Sequence, residues 1–174
     1  MNLIDRLIKA VFTPFLKLFH KDLTEKQWES LLQFIKFCMV GVTNTIISYC
    51  LNALTLLLLA PTSLAQQVTI GTFTFSPDVM IGIAVSFILS VLWSFYWNRK
   101  FVFKADNEKV PWPQALLKTY ISYAFTGLFL NSVLAVFWVQ VVHIPKLFAP
   151  IANLLISVPI NYFLNKLWAF REKN

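Results

Sequence analysis

The fold of this chain follows from residues Ser86 to Phe103, which read SFILSVLWSFYWNRKFVF. A polar residue stands at every fourth position of this apolar run: Ser86, Ser90, Ser94 and Asn98. Because residues four apart lie on one face of an α-helix, the stretch predicts an apolar helix with a narrow polar ladder along one side. The ladder leads into a cationic pair, Arg99 and Lys100, and then into aromatic residues.

A second polar ladder near the C-terminus has the same register. Its rungs are Asn153, Ser157, Asn161 and Asn165, and the residues that follow read KLWAF. Both ladders end in the pattern N-[RK]-x-[FW]-x-F, which indicates an internal repeat. Since both ladders run in the same direction across the membrane, we expect two parallel repeats related by an axis along the membrane normal.

The composition is typical of an integral membrane protein. Hydrophobic residues make up 57% of the 174 residues and charged residues only 13%, against about a quarter charged in ordinary globular proteins. Crossing a bilayer takes about 20 mostly apolar residues. Four segments meet this requirement, at about residues 34–59, 79–98, 117–141 and 147–165. The predicted fold class is therefore an all-α membrane protein with four transmembrane helices, arranged as two parallel two-helix repeats.

The positive charges predict the orientation. Of the 15 Lys and Arg residues, all but Lys146 fall in the N-terminal segment, the middle connection around Lys104 to Pro113, or the C-terminal tail. Lys and Arg are enriched in cytoplasmic loops, so we expect both termini of this multi-pass protein in the cytoplasm. The net charge of +7 then indicates attraction to the anionic inner leaflet rather than binding to nucleic acid.

The chain divides into two predicted domains, residues 1–23 and the membrane domain at 24–174. The first is an amphipathic segment, predicted to form a helix that lies in the membrane interface; binding to a partner protein is the alternative. The sequence from Thr24 to Gln27 predicts a capping box that starts the next helix, which continues into the first span. Alternating residues around Gly71 predict a short hairpin in the outer connection.

Polar residues also share a face on the other spans. On the first span this face contains Gly41, Asn44, Ser48, Asn52 and Thr55, and on the third it contains Tyr123, Gly127 and Asn131. Ser, Thr and Asn in membrane helices commonly join neighbouring helices through hydrogen bonds. An asparagine amide, however, needs several partners that hydrocarbon does not supply. The alternative is therefore that some of these asparagines line a wettable groove.

The sequence contains no pattern typical of an enzyme. It lacks a phosphate-binding glycine loop, a nucleophile elbow and a metal motif, and we predict no catalytic residue, no metal site and no cofactor. His20 and His143 fall on opposite sides of the predicted membrane. The absence of a carboxylate within any span argues against a proton-exchanging drug exporter.

Cations are placed at the predicted cytoplasmic ends of the spans: Lys36, Arg99, Lys100, Lys118 and Lys166. Each one alone is typical of a side chain that anchors a helix end at the interface. As a set, at the points where polar ladders end, they could bind a phosphate head group, with Arg99 donating two parallel hydrogen bonds.

Three stretches of the chain resemble the GtrA-like family of small four-span bacterial membrane proteins. They are FIKFCMVGVTNT in the first span, NRKFVF after the second and NYFLNKLWAF at the end of the fourth. The positions that match the family are Lys36, Gly41, Asn44, Asn98, Arg99, Asn161, Asn165 and Lys166. The resemblance implies a bacterial cytoplasmic membrane protein of cell-surface glycosylation, which flips a polyprenyl-phosphate-linked sugar from the cytoplasmic to the outer leaflet.

Together with this resemblance, the residues predict two separate binding regions. The cations listed above would bind the phosphate head group, and a polar groove would accompany the sugar: Asn44, Ser94, Asn98, Asn161 and Asn165. We expect contacts with membrane lipids, a homo-oligomer in the form of a dimer, and a membrane glycosyltransferase as partner. The alternative function is a non-transporting membrane adaptor that recruits such a glycosyltransferase.

Overall fold

The computed structural model describes residues 3–18, 23–103, 110–146 and 148–170. Apart from one small hairpin, the elements in these ranges are helices, as the composition predicts. They are α1 (Leu3–Leu18), α2 (Glu25–Leu59), β1 (Val68–Ile70), β2 (Phe73–Phe75), α3 (Pro77–Trp97), α4 (Trp112–Ala124), α5 (Asn131–Val136) and α6 (Ala149–Leu164). Residues 19–22 and 104–109 lie outside the described ranges, so the domain boundary at 23 and most of the predicted cytoplasmic connection remain predictions.

Helix α2 begins with the predicted capping box. The Thr24 hydroxyl accepts a hydrogen bond from the backbone N–H of Gln27, and the Gln27 side chain accepts one from the backbone N–H of Thr24. The helix then continues without a break for 35 residues. At 1.5 Å per residue this is about 52 Å, well beyond a hydrocarbon core of about 30 Å. One end of α2 therefore extends out of the membrane.

The predicted hairpin is also confirmed. β1 and β2 pair antiparallel, with Ile70 opposite Phe73, and Thr69 and Thr74 share a hydrogen bond of 3.0 Å between their hydroxyls. Gly71, at the turn, has a φ of 63°. Glycine adopts this left-handed conformation without the steric penalty that a Cβ would bring.

Three helical segments among the described residues are long and apolar enough to cross a membrane: Glu25–Leu59, Pro77–Val102 and Trp112–Val141. The chain is therefore a membrane protein. The predicted fourth span forms a helix, α6, of 16 residues, which is not among these three segments. Residue 147, where that span was predicted to begin, is outside the described ranges. A fourth crossing remains a prediction.

The two copies of the repeated motif adopt the same local conformation. α3 continues into the π-helical turn Asn98–Val102, and α6 into the π-helical turn Asn165–Ala169. At the end of each turn the N–H of a phenylalanine donates to the carbonyl oxygen of the motif asparagine, Phe103 to Asn98 and Phe170 to Asn165, both at 2.9 Å. The two helix ends thus share one local conformation, whereas a repeat of two helices remains a prediction.

Both motif phenylalanines belong to one aromatic cluster, which consists of Phe37, Phe95, Phe103, Tyr162 and Phe170. The ring of Phe103 stacks on Phe170 at 4.8 Å and on Tyr162 at 5.9 Å between centroids. Phe170 also stacks on Phe95 at 5.7 Å. The cluster joins α2 to the ends of α3 and α6, and it is the main buried core of the described fold.

Helix α1 packs against the first half of α2. The Asp5 carboxylate forms an ion pair with Lys36, and the Lys9 ammonium lies 5.4 Å from the centre of the Trp28 ring. Since the earlier residue of α1 meets the later residue of α2, the two helices run antiparallel. The location of α1 in the membrane interface remains a prediction.

Candidate functional site

The polar face of α2 lines two adjoining cavities, which together we call the polar groove. One cavity of about 370 Å³ contains Gly41, Asn44 and Thr45 in its wall. The other, of about 480 Å³, is lined by Asn44, Thr45, Ser48 and Asn52. The two cavities adjoin at Asn44 and Thr45, which line both. It covers most of the face that the spacing on the first span predicts.

The opposite wall of the first cavity comes from α4, α5, the π-helical turn Phe125–Leu130 between them, and α6, whereas that of the second comes from α3, with Ile83, Ser86 and Phe87. Tyr123, Gly127 and Asn131 line the first cavity together with Ser157 and Asn161. The spacing of the first three residues had placed them on one helix face, but not opposite α2. The structure therefore brings two of the predicted groove residues, Asn44 and Asn161, into one cavity and adds Asn131 to them.

Several amide oxygens along the groove have no hydrogen-bond partner within the described residues. They belong to Asn44 and Asn131, which line the first cavity, and to Asn52, which lines the second. A buried polar atom without a partner costs about 1–3 kcal/mol. Each of these oxygens would therefore be stabilised by a hydrogen-bond donor, such as a water molecule or a ligand hydroxyl, that reaches it.

Ser94 and Asn98, two further predicted groove residues, lie behind the wall rather than in it. Both are fully buried. The Ser94 hydroxyl shares a hydrogen bond of 2.6 Å with the Tyr123 hydroxyl, and the Asn98 amide donates to Ser94 at 3.2 Å and to Tyr123 at 3.4 Å. Their contact with the groove is thus made through Tyr123, whose orientation they fix.

Asn165 has the corresponding role in the other repeat. It is fully buried, and its amide donates to the carbonyl oxygen of Asn161 at 2.8 Å and to the side-chain oxygen of Asn161 at 3.2 Å. Asn161 itself lines the groove. The last rung of each ladder therefore positions a neighbouring side chain that faces the groove.

The aromatic cluster closes the groove towards the cationic end of the helices. On α2, Gly41 lines the groove and Phe37 belongs both to the groove wall and to the cluster. On α6, Asn161 lines the groove, whereas the ring of Tyr162 packs in the cluster and its hydroxyl bonds to Lys166. Along both helices the order is therefore groove, aromatic cluster and polar end.

A hydrogen-bonded chain lies beyond the cluster and joins three helices. The Tyr162 hydroxyl donates to the Gln33 side-chain oxygen at 3.0 Å, and the Gln33 amide donates to the carbonyl oxygen of Val102 at 3.1 Å. Lys166 donates to the Tyr162 hydroxyl at 3.2 Å. Sequence reasoning did not select Gln33 or Tyr162, because neither belongs to a ladder and their contact joins residues far apart in the chain.

Two of the five predicted head-group cations bond to backbone carbonyls. Arg99 donates from Nη2 to the carbonyl oxygen of Val110 at 3.1 Å. Lys118, which is only 9% exposed, donates to the carbonyl oxygen of Trp168 at 3.0 Å. Both contacts hold helix ends together, and in the case of Lys118 the cation also lies near the negative end of the α6 dipole.

The other three cations contact side chains. Lys36 is 18% exposed and paired with Asp5, and Lys166 is partly buried against Tyr162. Lys100 is exposed; it donates to the Tyr96 hydroxyl at 3.2 Å and lies over the rings of Trp97 and Phe101. Each of the five cations therefore contacts a different part of the protein, and of the five only Lys100 is fully exposed, whereas Lys36, Arg99 and Lys166 are partly buried.

The described ranges contain no group of three His, Cys, Asp or Glu residues able to hold a metal ion. The groove is instead lined by amides, hydroxyl groups and apolar side chains. Such a lining can exchange hydrogen bonds with a polar, uncharged molecule.

Among known protein families, the family described as GtrA/DPMS, transmembrane domain, matches residues 36–170. The match begins at Lys36 and ends at Phe170, so it includes the groove, the aromatic cluster and both motif ends, and it leaves out α1. No curated protein matches the chain, and no solved structure does.

Proposed function

Because the chain belongs to the GtrA/DPMS transmembrane-domain family, we propose that it moves a polyprenyl-phosphate-linked sugar from the cytoplasmic to the outer leaflet of a bacterial cytoplasmic membrane. Such a lipid has three chemically different parts: a hydroxyl-rich sugar, a negative phosphate and a long apolar chain. A protein that moves it must offer a polar path for the first two, while the chain can remain in the bilayer.

The polar groove is the observation that carries this proposal. The amide oxygens of Asn44, Asn52 and Asn131 are hydrogen-bond acceptors that have no partner within the described residues. Sugar hydroxyls are donors, so these oxygens would replace part of the water that the sugar loses on leaving the aqueous phase. From Phe37 to Asn52 the groove extends about 22 Å along α2, which is most of the hydrocarbon thickness.

The phosphate would be bound first at the cationic end, where Lys100 is exposed and Lys36 is held by Asp5. The aromatic cluster then separates this end from the groove, so we propose that the cluster is the barrier that keeps ions from leaking through. No motif for ATP hydrolysis occurs in the chain, and the direction of transport would follow from consumption of the lipid on the outer side.

A dimer and a membrane glycosyltransferase as partner belong to the same proposal, as does the absence of enzymatic activity. Large apolar side chains cover the surface of the third membrane segment, with Leu128 exposed by 71% and Phe129 by 61%. This surface would contact lipid or a second copy of the chain. The alternative is a membrane adaptor that recruits the glycosyltransferase without transport.

The test is transport in reconstituted liposomes. A polyprenyl-phosphate sugar is incorporated into the vesicles, and the sugar exposed on the outside is oxidised with periodate, which does not cross the membrane. We expect the protein to make the inner pool of sugar accessible, and Asn44→Leu and Asn161→Leu to abolish this. Ser132→Leu is the matched control, because Ser132 is exposed and lies outside the groove.

Normal transport by both asparagine variants would show that these residues only join helices. The adaptor would be favoured by two results together. The wild-type protein would move no sugar lipid, and the two asparagine variants would lose the glycosyltransferase from purified complexes.

A further inference from the structure

A second cleft lies between α2 and α3, on a different side of α2 from the polar groove. We call it the aromatic cleft. Its volume is about 280 Å³, and its α2 wall contains Lys36, Met39, Val40 and Thr43. At 100° per residue, this face of α2 is rotated by about 140° from the face that lines the polar groove.

The α3 wall of the aromatic cleft is a row of aromatic rings spaced four residues apart: Trp93, Trp97 and Phe101. Trp97 contacts Trp93 at 5.3 Å and stacks on Phe101 at 4.9 Å between ring centroids. These rings form a continuous apolar wall, with Trp93 and Trp97 edge to face at 61° and Trp97 and Phe101 stacked at 23° between planes. Since Met39 is 49% exposed and Phe101 37% exposed, the cleft is open along its side to the surrounding lipid.

The charges of the aromatic cleft are confined to one end. Lys36 lines that end, and the Lys100 ammonium lies 5.7 Å from the ring of Phe101. The rest of the lining is apolar, apart from the Thr43 hydroxyl, which accepts a hydrogen bond from the Trp93 indole at 3.4 Å. Two cations at one end of an apolar channel match an amphiphile with an anionic head and a hydrocarbon chain.

We propose that the aromatic cleft binds the phosphate and the adjoining isoprenoid units of a single-chain polyprenyl phosphate lipid. This inference rests on the proposed function and gives the lipid a binding site separate from the path of the sugar. The hydrocarbon chain packs along the row of aromatic rings, and the phosphate lies at the end that Lys36 and Lys100 make positive. A narrow cleft open to the bilayer takes one chain while the remainder stays in lipid.

Asp5 has a defined role in this site. Its carboxylate, which belongs to α1, forms an ion pair with Lys36 at the mouth of the cleft. A lipid phosphate would compete for the same ammonium, because both are oxygen anions. Binding of the lipid therefore displaces Asp5 and weakens the contact between α1 and α2. The packing of α1 against α2 thus depends on whether the cleft is occupied.

The experiment uses the full-length protein in phosphatidylcholine vesicles and a farnesyl phosphate with a diazirine in its chain as the probe. After illumination, we expect labelled peptides from both walls of the aromatic cleft. Met39→Trp fills the cleft and should reduce labelling strongly. Ile46→Trp is the matched control, because Ile46 is an equally exposed residue of α2 outside both cavities and the cleft, and its labelling should equal that of the wild type.

Charge variants test the phosphate contact. Lys36→Gln should weaken binding of farnesyl phosphate by about tenfold, the size of one charge-assisted hydrogen bond, and leave binding of uncharged farnesol unchanged. Asp5→Asn should strengthen binding of the phosphate, because the competing carboxylate is gone. Equal labelling of the Met39 and Ile46 variants would overturn the inference. So would competition by phosphatidylglycerol as strong as that by unlabelled farnesyl phosphate, since the cleft would then take bulk anionic lipid.

The labelling result does not depend on transport. Specific labelling by a protein that moves no sugar lipid would support the cleft and overturn the flippase. If the protein moves the sugar lipid but the wild type and Met39→Trp are labelled equally, the proposed lipid site in the aromatic cleft is wrong. The proposed transport function would then still hold.

Discussion

The rings of Phe103 and Phe170 stack face to face, with 4.8 Å between centroids and 24° between planes. Each is the last residue of one copy of the repeated motif, and neither is exposed. The two copies therefore meet at equivalent residues. This contact places the end of α3 beside the end of α6 and makes the aromatic cluster the joint between them.

The first prediction concerns the stability of this joint. Phe103→Ala and Phe170→Ala should each lower the free energy of unfolding by about 3–5 kcal/mol, since each removes a buried ring from the core. Thermal unfolding in detergent, followed by tryptophan fluorescence, measures the effect. Phe163→Ala is the control, because Phe163 is 54% exposed. The double variant should show a coupling of about 0.5–1.5 kcal/mol beyond additivity; strict additivity would mean that the stacking itself contributes nothing.

The second prediction separates positioning from stability. Tyr123→Phe removes the hydroxyl that holds Ser94 and Asn98, and Tyr120→Phe removes a hydroxyl that donates to the carbonyl oxygen of Ile88, also at 2.6 Å. Each loss should cost about 1 kcal/mol of unfolding free energy. Only Tyr123→Phe should also slow transport in liposomes, because only Tyr123 lines the polar groove. Equal transport by the two variants would contradict a positioning role for this hydroxyl.

The third prediction uses two glycines in membrane helices. A Cβ added at Gly82 would lie 2.5 Å from the side-chain oxygen of Asn52, whereas one added at Gly41 would meet no atom within 4 Å. Gly82→Ala should therefore displace the Asn52 amide and reduce transport, while Gly41→Ala, which displaces no atom, should reduce transport less. Since alanine favours a helix over glycine by about 1 kcal/mol, both variants should fold. A Gly82→Ala protein with full transport would show that the position of Asn52 does not matter.

The fourth prediction is the topology. In a background where Cys38 and Cys50 are replaced by serine, single cysteines are introduced at Lys26 and Ser63, which lie near opposite ends of α2 and are both exposed. A thiol reagent that does not cross the membrane should label Ser63→Cys in intact cells and Lys26→Cys only after the membrane is opened. Labelling of both from the same side would exclude a crossing by α2.

The local features were predictable because they depend on neighbours in the chain. The capping box of Thr24 and Gln27, the hairpin turn at Gly71 and the polar face of α2 all involve residues within a few positions of one another. The spacing on the third span also placed Tyr123, Gly127 and Asn131 together, as the first cavity confirms. Hydrogen bonds within one turn and helical periodicity act over short distances along the chain, so the sequence carries their signal.

Which of the ladder residues line the groove and which are buried behind it could not be predicted in the same way. Asn44 and Asn161 line the groove, whereas Ser94, Asn98 and Asn165 lie buried behind it. All five are polar residues at helical spacing, and a ladder specifies only a direction around its own helix. Which rungs face a cavity depends on how closely the neighbouring helix approaches.

The sequence by itself determined that this is a helical membrane protein, that α2 starts at the Thr24 capping box, which side of α2 is polar and where two matching motifs lie. The tertiary structure alone decided that those motifs meet through Phe103 and Phe170, that Gln33 bonds to Tyr162, and that Asp5 pairs with Lys36 at the mouth of the aromatic cleft. The reason is physical: composition and periodicity express the free energy of each helix in lipid, whereas contacts between distant residues depend on the packing of whole helices.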